Sequence, residues 1–453
     1  MTLNNIRHPR QSARKAKSWF TAHLHMWRFG NHGRRRFQND SRYKLQNVTE
    51  GFADHIDEAS DDTLLLDRIC AAFNKAEERG RSMPGPYLPW QPLQSLRQGR
   101  LGPSIRALRE HDTAALGKMY RNFYRDPCSA GLMGAPAGMP QAYFSGHIKD
   151  IYRHFYLSHV LYRLDYWKEL TGGRFSLNSL AGPGIGNPYG VVMDGTHIGV
   201  GSEYSHYCAQ RVASLIDRRV TPQPAIGEIG GGFGAMAYYL LRDHRPLNYF
   251  DFDVPERIAL SSYYLMKAFP DFTFLLYGED TTSSADVVLM PISALADMPH
   301  SALDIAFSSN AIANLAPAGR SECLQTIGSI TRQSLLSIGN EAASEWHAEL
   351  VEKGNRAFSL TDNRTSGWHS HKVSGAGVGG AAALADSTLL EQTFSRKSVT
   401  AHSVISAPIF PAGIQGGIPN VVPHKSPRFN QETHPGKNLA SPGIHSRAAG
   451  AAD

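Results

Sequence analysis

Apolar residues recur along this chain with two different periods. Between about residues 45 and 180 the spacing is helical: Leu65, Ile69, Ala72 and Phe73 fall on one face of a segment from Asp62 to Glu78, with Asp61 or Asp62 as its N-cap. Pro84, Pro86, Pro89 and Pro92 interrupt the pattern, after which helices are predicted over Ser104–Tyr124 and His147–Leu170. Gly172–Gly201 is dense in turn residues and reads as a loop or small hairpin; Ser205–Ile216 returns to helical spacing.

From residue 222 to 340 short apolar runs alternate with amphipathic stretches. Ala225–Ile229, Leu247–Phe252, Val287–Pro291, Leu303–Ser308 and Ser334–Gly339 are strand candidates; Gly234–Leu241 and Pro255–Phe269 are helices, the second with proline in its first turn. Such alternation predicts an α/β fold, a doubly wound Rossmann-like sheet preceded by a mainly helical domain and flanked by disordered tails. The corresponding boundaries are a basic disordered arm over 1–44, a helical domain over 45–200, the sheet domain over 201–400 and a Pro/Gly-rich disordered tail over 401–453, with residues 375–385 as a flexible connection.

Charge sharpens this division. The formal net charge is +6, yet residues 1–44 hold 11 Lys and Arg against the single acid Asp40. The arm therefore carries +10 and leaves −4 on the remainder. A body of that sign excludes a generally basic nucleic-acid binder, so no specific nucleic acid is expected. The arm has Trp19, Phe20, Trp27 and Phe37 among its charges. It is either a solvated tail, a contact for an anionic membrane surface or, without sequence specificity, for nucleic acid, or a transit segment.

Cys70, Cys128, Cys208 and Cys323 are far apart and have no zinc spacing. With no signal-peptide core and no apolar run long enough to span a bilayer, a cytoplasmic protein is expected.

The densest chemical signal is Glu228-Ile-Gly-Gly-Gly-Phe-Gly234, where a predicted strand turns into a predicted helix. Gly230, Gly231, Gly232 and Gly234 allow a tight turn and close ligand approach, and the following helix start offers free N–H groups. Gly230, Gly232 and Ala235 also fit the dinucleotide pattern G-x-G-x-x-A, which alone is weak. Glu228, two residues before the first glycine, and the loop's place past the chain's midpoint favour S-adenosylmethionine as the cofactor. Asp253 ends the next strand and is the candidate for the ribose hydroxyls; Asp251, on the same face, competes, and a plain helix cap is the alternative role.

These residues resemble the sugar O-methyltransferases of bacterial polysaccharide loci. The likeness rests on the glycine loop, on Asp253-Val-Pro-Glu256 with Ala259-Leu-Ser-Ser-Tyr-Tyr-Leu265, on Gly186-Asn-Pro-Tyr-Gly190 with Tyr207 and Ala209-Gln-Arg211, and on Leu335-Leu-Ser-Ile-Gly-Asn340. It covers roughly residues 115–345. Ser308-Ser-Asn-Ala-Ile-Ala-Asn-Leu315 departs from that family's Asn-Thr-x-Ser.

The resemblance implies S-adenosylmethionine-dependent O-methylation of a sugar or glycan acceptor. A sugar hydroxyl is a poor nucleophile, so a general base is expected near it. His206 is the first candidate, with His197 and His347 as alternatives, and Ser309 and Asn310 are candidates to line the acceptor pocket. A divalent metal orienting the hydroxyls stays open, though no carboxylate cluster calls for one. The rival readings are an NAD(P)-dependent oxidoreductase on the same loop and a catalytically inactive methyltransferase-like binding protein.

Overall fold

The computed structural model describes residues 9–56, 63–82, 91–132, 150–280, 284–312, 315–340, 358–368 and 389–396. The connection over 375–385, the tail over 401–453 and His347 lie outside them.

An eight-stranded sheet forms the centre, with its strands in the order β5-β6-β4-β3-β7-β8-β10-β9. These are β3 (Ala225–Ile229), β4 (Asn248–Asp253), β5 (Phe274–Leu276), β6 (Val287–Pro291), β7 (Leu303–Ser309), β8 (Thr331–Asn340), β9 (Phe358–Ser366) and β10 (Leu389–Arg396). The five predicted strands all form, with ends moved by up to three residues. Strands β3 to β8 pair in parallel, with Glu228 in register with Asp251 and Ile229 with Ser308. Successive buried positions explain their near-continuous apolar character. The chain winds outward from β3 to β4 and on to β5 at the edge, steps back to β6 between them, and then crosses to β7, so the winding reverses between β3 and β7. Strand β10 is antiparallel to both its neighbours, β8 and β9. The whole is a mixed, mostly parallel Rossmann-like α/β sheet with a helical N-terminal part.

The helices before the sheet are α1 (Pro9–Arg36), α2 (Leu45–Gly51), α3 (Thr63–Ser82), α4 (Gln91–Gln98), α5 (Gly102–Glu110), α6 (Thr113–Tyr120), α7 (Asp150–Leu170) and α8 (Ser202–Ala213). The single helix expected over Ser104–Tyr124 is two: His111 adopts φ 53° and Asp112 caps the second by accepting from the Ala115 N–H at 2.9 Å. The turn-rich stretch contains the hairpin β1 (Gly190–Met193) and β2 (Thr196–Gly199), turned by Asp194 and Gly195 at positive φ. Beyond the hairpin, α9 (Ala235–Asp243), α10 (Pro255–Ala268) and α11 (Pro317–Ile330) cover the sheet. One apolar cluster takes in Leu66, Leu108, Trp167, Tyr263 and Ile338 alike, so the boundary drawn at residue 200 divides elements that share a core.

The N-terminal arm requires a correction. Residues 9–36 are helical, and Met26 and Phe29 are buried against Phe155 of α7, where Phe29 meets the Phe155 ring edge-on at 5.5 Å. Phe37 is buried as well, edge-on to Tyr162 at 4.9 Å. Gly33 lets the helices approach: a Cβ there would collide with the Ser158 side chain. Arg42 then ties Asp40 to Asp165 of α7, at 2.7 and 2.8 Å. Charge counting misses this because the apolar face is narrow and the arginines outnumber it. Phe20 and Trp27 do remain exposed. Deleting residues 1–44 is accordingly expected to destabilise the protein, since Met26, Phe29 and Phe37 each contribute about 1.5–3 kcal/mol by burial. A thermal melt checks it; an unchanged melting temperature would mean that the arm is detachable.

Among the described residues no helix is long and apolar enough to cross a membrane.

Candidate functional site

The loop after β3 sits where the winding reverses, at the carboxyl ends of the parallel strands, the usual ligand position in an open α/β sheet. Its glycines have distinct duties. A Cβ on Gly230 would strike Ala311, just beyond β7, and one on Gly231 would lie 2.5 Å from the Asp251 carboxylate. Those two positions are closed by the protein itself. Gly232 has φ 68°, and among the described residues a Cβ there would meet only Leu132, at 3.7 Å. Open space at that backbone position is what a ligand lying on the loop requires.

Two carboxylates, Asp251 and Asp253, hold the loop's backbone, and a third, Glu228, is buried at the end of β3. The Gly231 N–H donates to Asp251 at 3.1 Å, and the Ser261 hydroxyl donates to the same carboxylate at 3.2 Å. The Gly232 N–H donates to Asp253 at 3.0 Å and the Val254 N–H at 2.7 Å, with Arg257 3.8 Å away. Glu228 accepts a short hydrogen bond from the Tyr249 hydroxyl. Asp251 is fully enclosed beneath Gly231, whereas Asp253 stands at the strand end. Of the two, only Asp253 has any exposure, and it also holds the Val254 N–H at the turn into α10.

Burial drives the acidity of all three. It pushes Glu228 from the ordinary value of 4.5 up to about 7, against the Tyr249 hydrogen bond and with help from the Asp253 charge. Burial likewise raises Asp251 and Asp253; the nearby Glu228 and Asp253 charges push Asp251 further, whereas Arg257 restrains Asp253. A carboxyl raised on folding contributes stability that is whole below its unfolded value and is lost as the pH climbs through its folded one. The melting temperature of the ligand-free protein is therefore expected to fall between about pH 5 and about pH 8. Glu228→Gln should flatten that slope; an equally steep slope in the variant would assign the effect to another group.

His206, the first candidate for general base, does not line this site. Its ring is completely buried, accepts at Nδ1 from the Trp167 indole N–H at 3.2 Å, and lies edge-on to Phe175 and Tyr239. Burial lowers it to about 4, so it serves as a neutral core group. Asn310 does lie at the crevice. It directly follows β7 with φ 60°, one residue before the Ala311 that closes on Gly230, and its N–H donates to the Ile338 carbonyl at 2.8 Å. Beside it, Ser309 is bonded to the Tyr204 hydroxyl at 2.7 Å.

A cavity of about 280 Å³ opens on the other side of Phe233, between the hairpin, α8 and α9. Its walls include Tyr124, Phe233, Tyr239 and Tyr264, together with Ser202, Ser205, His55 and His197. The two imidazoles are edge-on with ring centres 6.3 Å apart. His197 Nε2 lies 3.2 Å from the Gly51 carbonyl, which can only accept, so Nε2 carries the proton and Nδ1 the lone pair. Burial lowers its pKa, the Gly51 contact opposes that, and the His55 and Arg125 charges add to the lowering. His197 thus stands as a neutral base in the cavity wall. Nothing in the sequence points to His55, which comes to the cavity from far upstream because Asn187 accepts its backbone N–H.

Tyr207 and Arg211, part of the family-like lead-in, prove structural. Both bond the buried carboxylate of Glu391 on β10, at 2.6 and 2.5 Å. Arg364 of β9 holds the same carboxylate. Among the described residues no group of three or more His, Cys, Asp or Glu is placed to hold a metal ion.

Sequence comparison finds no matching protein family and no matching curated protein. Solved structures with a similar fold include a mitomycin 7-O-methyltransferase, 14% identical with TM-score 0.30, the match covering 44% of this chain and 56% of that one. A magnesium protoporphyrin IX methyltransferase from Synechocystis is 10% identical with TM-score 0.29, over 43% of this chain and 81% of that one. An arsenic(III) S-adenosylmethionine methyltransferase from Chlamydomonas reinhardtii is 12% identical with TM-score 0.28, over 43% and 74%. The chain thus spans little more than half the length of the mitomycin enzyme.

Proposed function

We propose that this protein is an S-adenosylmethionine-dependent methyltransferase acting on a hydroxyl of a sugar or glycan precursor. The observation that carries the reading is the open backbone position at Gly232, whose N–H is held by the buried Asp253 at the winding reversal, in the loop that follows the buried Glu228. S-adenosylmethionine, when bound, supplies an electrophilic methyl group on a positively charged sulfur. Gly232 would admit it, Asp253 would accept from its ribose hydroxyls, and Glu228 would offset its positive charge. Ionising Glu228 favours a cation, so affinity should strengthen as the pH rises through about 7.

The dinucleotide alternative fits the sheet less well. Dinucleotide-binding sheets run parallel in the order 3-2-1-4-5-6. Here the final strand enters antiparallel, between β8 and β9. Titration calorimetry with S-adenosylhomocysteine and with NADPH separates the two: binding of NADPH and not of S-adenosylhomocysteine would sink the proposal.

For the acceptor, the cavity behind Phe233 suits a sugar, whose C–H face can lie on tyrosine rings while serine and histidine meet its hydroxyls. His197 is the base this reading assigns, in place of His206, because its free Nδ1 belongs to a cavity-lining ring. His197→Gln keeps a donor for Gly51 but lacks the basic nitrogen. It is expected to cost on the order of 10²–10⁴ in methyl-transfer rate with S-adenosylhomocysteine affinity unchanged. A rate within about threefold of the parent protein would remove His197 from that role.

A further inference from the structure

A second concave site lies far from the glycine loop, where the last turn of α1 runs beside α7. It is a cleft of about 700 Å³ lined by Asn31, Arg34, Arg35, Gln38, Tyr43 and His154, with Leu45 at its edge. Three arginines in succession, Arg34 to Arg36, end the helix. Basic side chains in a last turn offset the helix dipole, and that alone would explain them. The surrounding charges do not support so plain a role. Of the nearby acids, Asp40 and Asp165 are taken by Arg42 and Asp150 by Arg153. No described carboxylate is within ion-pair distance of Arg34 or Arg35, although both line the cleft. The site also supplies neutral hydrogen-bonding groups beside the guanidinium groups: the amides of Asn31 and Gln38 and the ring of His154. The Tyr43 hydroxyl lies 3.0 Å from His154 Nδ1 and 3.3 Å from the Ser158 hydroxyl, which fixes the far wall.

Two forked cations with polar neutral groups in one concavity match the oxygens of a phosphate better than a carboxylate, which offers only two acceptors. Because α1 is docked on α7 through Phe29 and Gly33, the two arginines are presented from a fixed backbone. That distinguishes the cleft from a diffuse basic tail.

We propose that the cleft formed by Arg34, Arg35, Tyr43 and His154 is a binding site for a phosphate or diphosphate group. The group is that of a soluble phosphorylated ligand or of an anionic lipid headgroup. It recognises its ligand independently of the glycine loop and would hold even if the methyltransferase reading failed.

The test is titration calorimetry of the full chain with inorganic pyrophosphate and with UDP, alongside sedimentation with phosphatidylglycerol vesicles and with phosphatidylcholine vesicles. The variant is R34Q/R35Q. The control, R28Q/R36Q, removes the same charge from the same helix outside the cleft. Arg35→Gln alone is the fallback should the double variant melt below the parent protein. Binding of pyrophosphate or UDP that weakens at least tenfold in R34Q/R35Q, and by less than half as much in the control, is the expected result for a soluble ligand. Retention only by phosphatidylglycerol, with the same dependence on the two pairs, identifies a headgroup instead. Equal loss in both double variants would show simple charge attraction and overturn the proposal, as would no binding of any of the three anionic probes.

Discussion

A Gly232→Ala protein should fold, melt close to the parent and bind S-adenosylhomocysteine on the order of a hundredfold more weakly in titration calorimetry. The expectation rests on the different surroundings of the adjacent glycines. A Cβ at Gly230 or Gly231 would strike Ala311 or Asp251 and disturb the loop itself. At Gly232 the only neighbour among the described residues is Leu132, 3.7 Å off, so the added methyl group projects into the space assigned to the ligand. The left-handed backbone, φ 68°, adds a cost of about 1–2 kcal/mol to folding. Alanine is the better probe than valine, whose branched Cβ would strain that conformation further. Affinity within about threefold of the parent, in a protein that melts normally, would place the ligand elsewhere.

The largest effect on stability is expected at Glu391. Its carboxylate is buried to 2% exposure and receives the Tyr207 hydroxyl, Arg211 and Arg364. Glu391→Ala removes the buried anion and leaves Arg211 and Arg364 only the half-exposed Asp362, 3.3 and 3.8 Å away; breaking a buried pair costs about 3–5 kcal/mol, and the partial exposure of the arginines puts this one at the lower end. The melting temperature should fall by on the order of 10 °C. Double replacement with Arg211→Leu should recover part of that loss, because it removes one of the stranded charges. If Glu391→Ala melts within about 2 °C of the parent, the cluster is not the fastening it is taken for.

Where local pattern decided the outcome, the sequence was readable. The five parallel strands, the proline-led helix at Pro255 and the strand-to-helix glycine loop each carry their signal in adjacent residues, and each is found in place. The misreadings concern residues whose role is set by distant partners. His206 looked exposed to chemistry because of its hydroxyl-bearing neighbours Tyr204, Ser205 and Tyr207, yet Trp167 and Phe175 enclose it. The arm looked disordered because its charge hides a face held by Phe155 and Tyr162. Strands β9 and β10 went unnoticed: β9 is mostly polar and exposed along its length, as an edge strand can be, and β10 mixes Glu391, Gln392 and Thr393 into its buried run. The cavity behind Phe233 joins residues from position 55 to position 264, and no spacing rule reaches across that distance.

The position of β10 also bears on how the molecule is made. Residues 389–396 leave the ribosome after residues 358–366, yet they occupy the inner place, between β8 and β9. Until they arrive, β8 is an open edge with unpaired backbone groups, and β9 has no strand to pair with. The nascent chain can complete everything from α1 to β8 and must then wait for a strand some twenty residues beyond β9 to slot into the gap. Premature termination or cleavage between residues 366 and 389 would therefore do more than shorten the protein. It would strand Arg211 without Glu391 and expose a long apolar strand edge to neighbouring chains, a template for aggregation that the finished protein keeps covered.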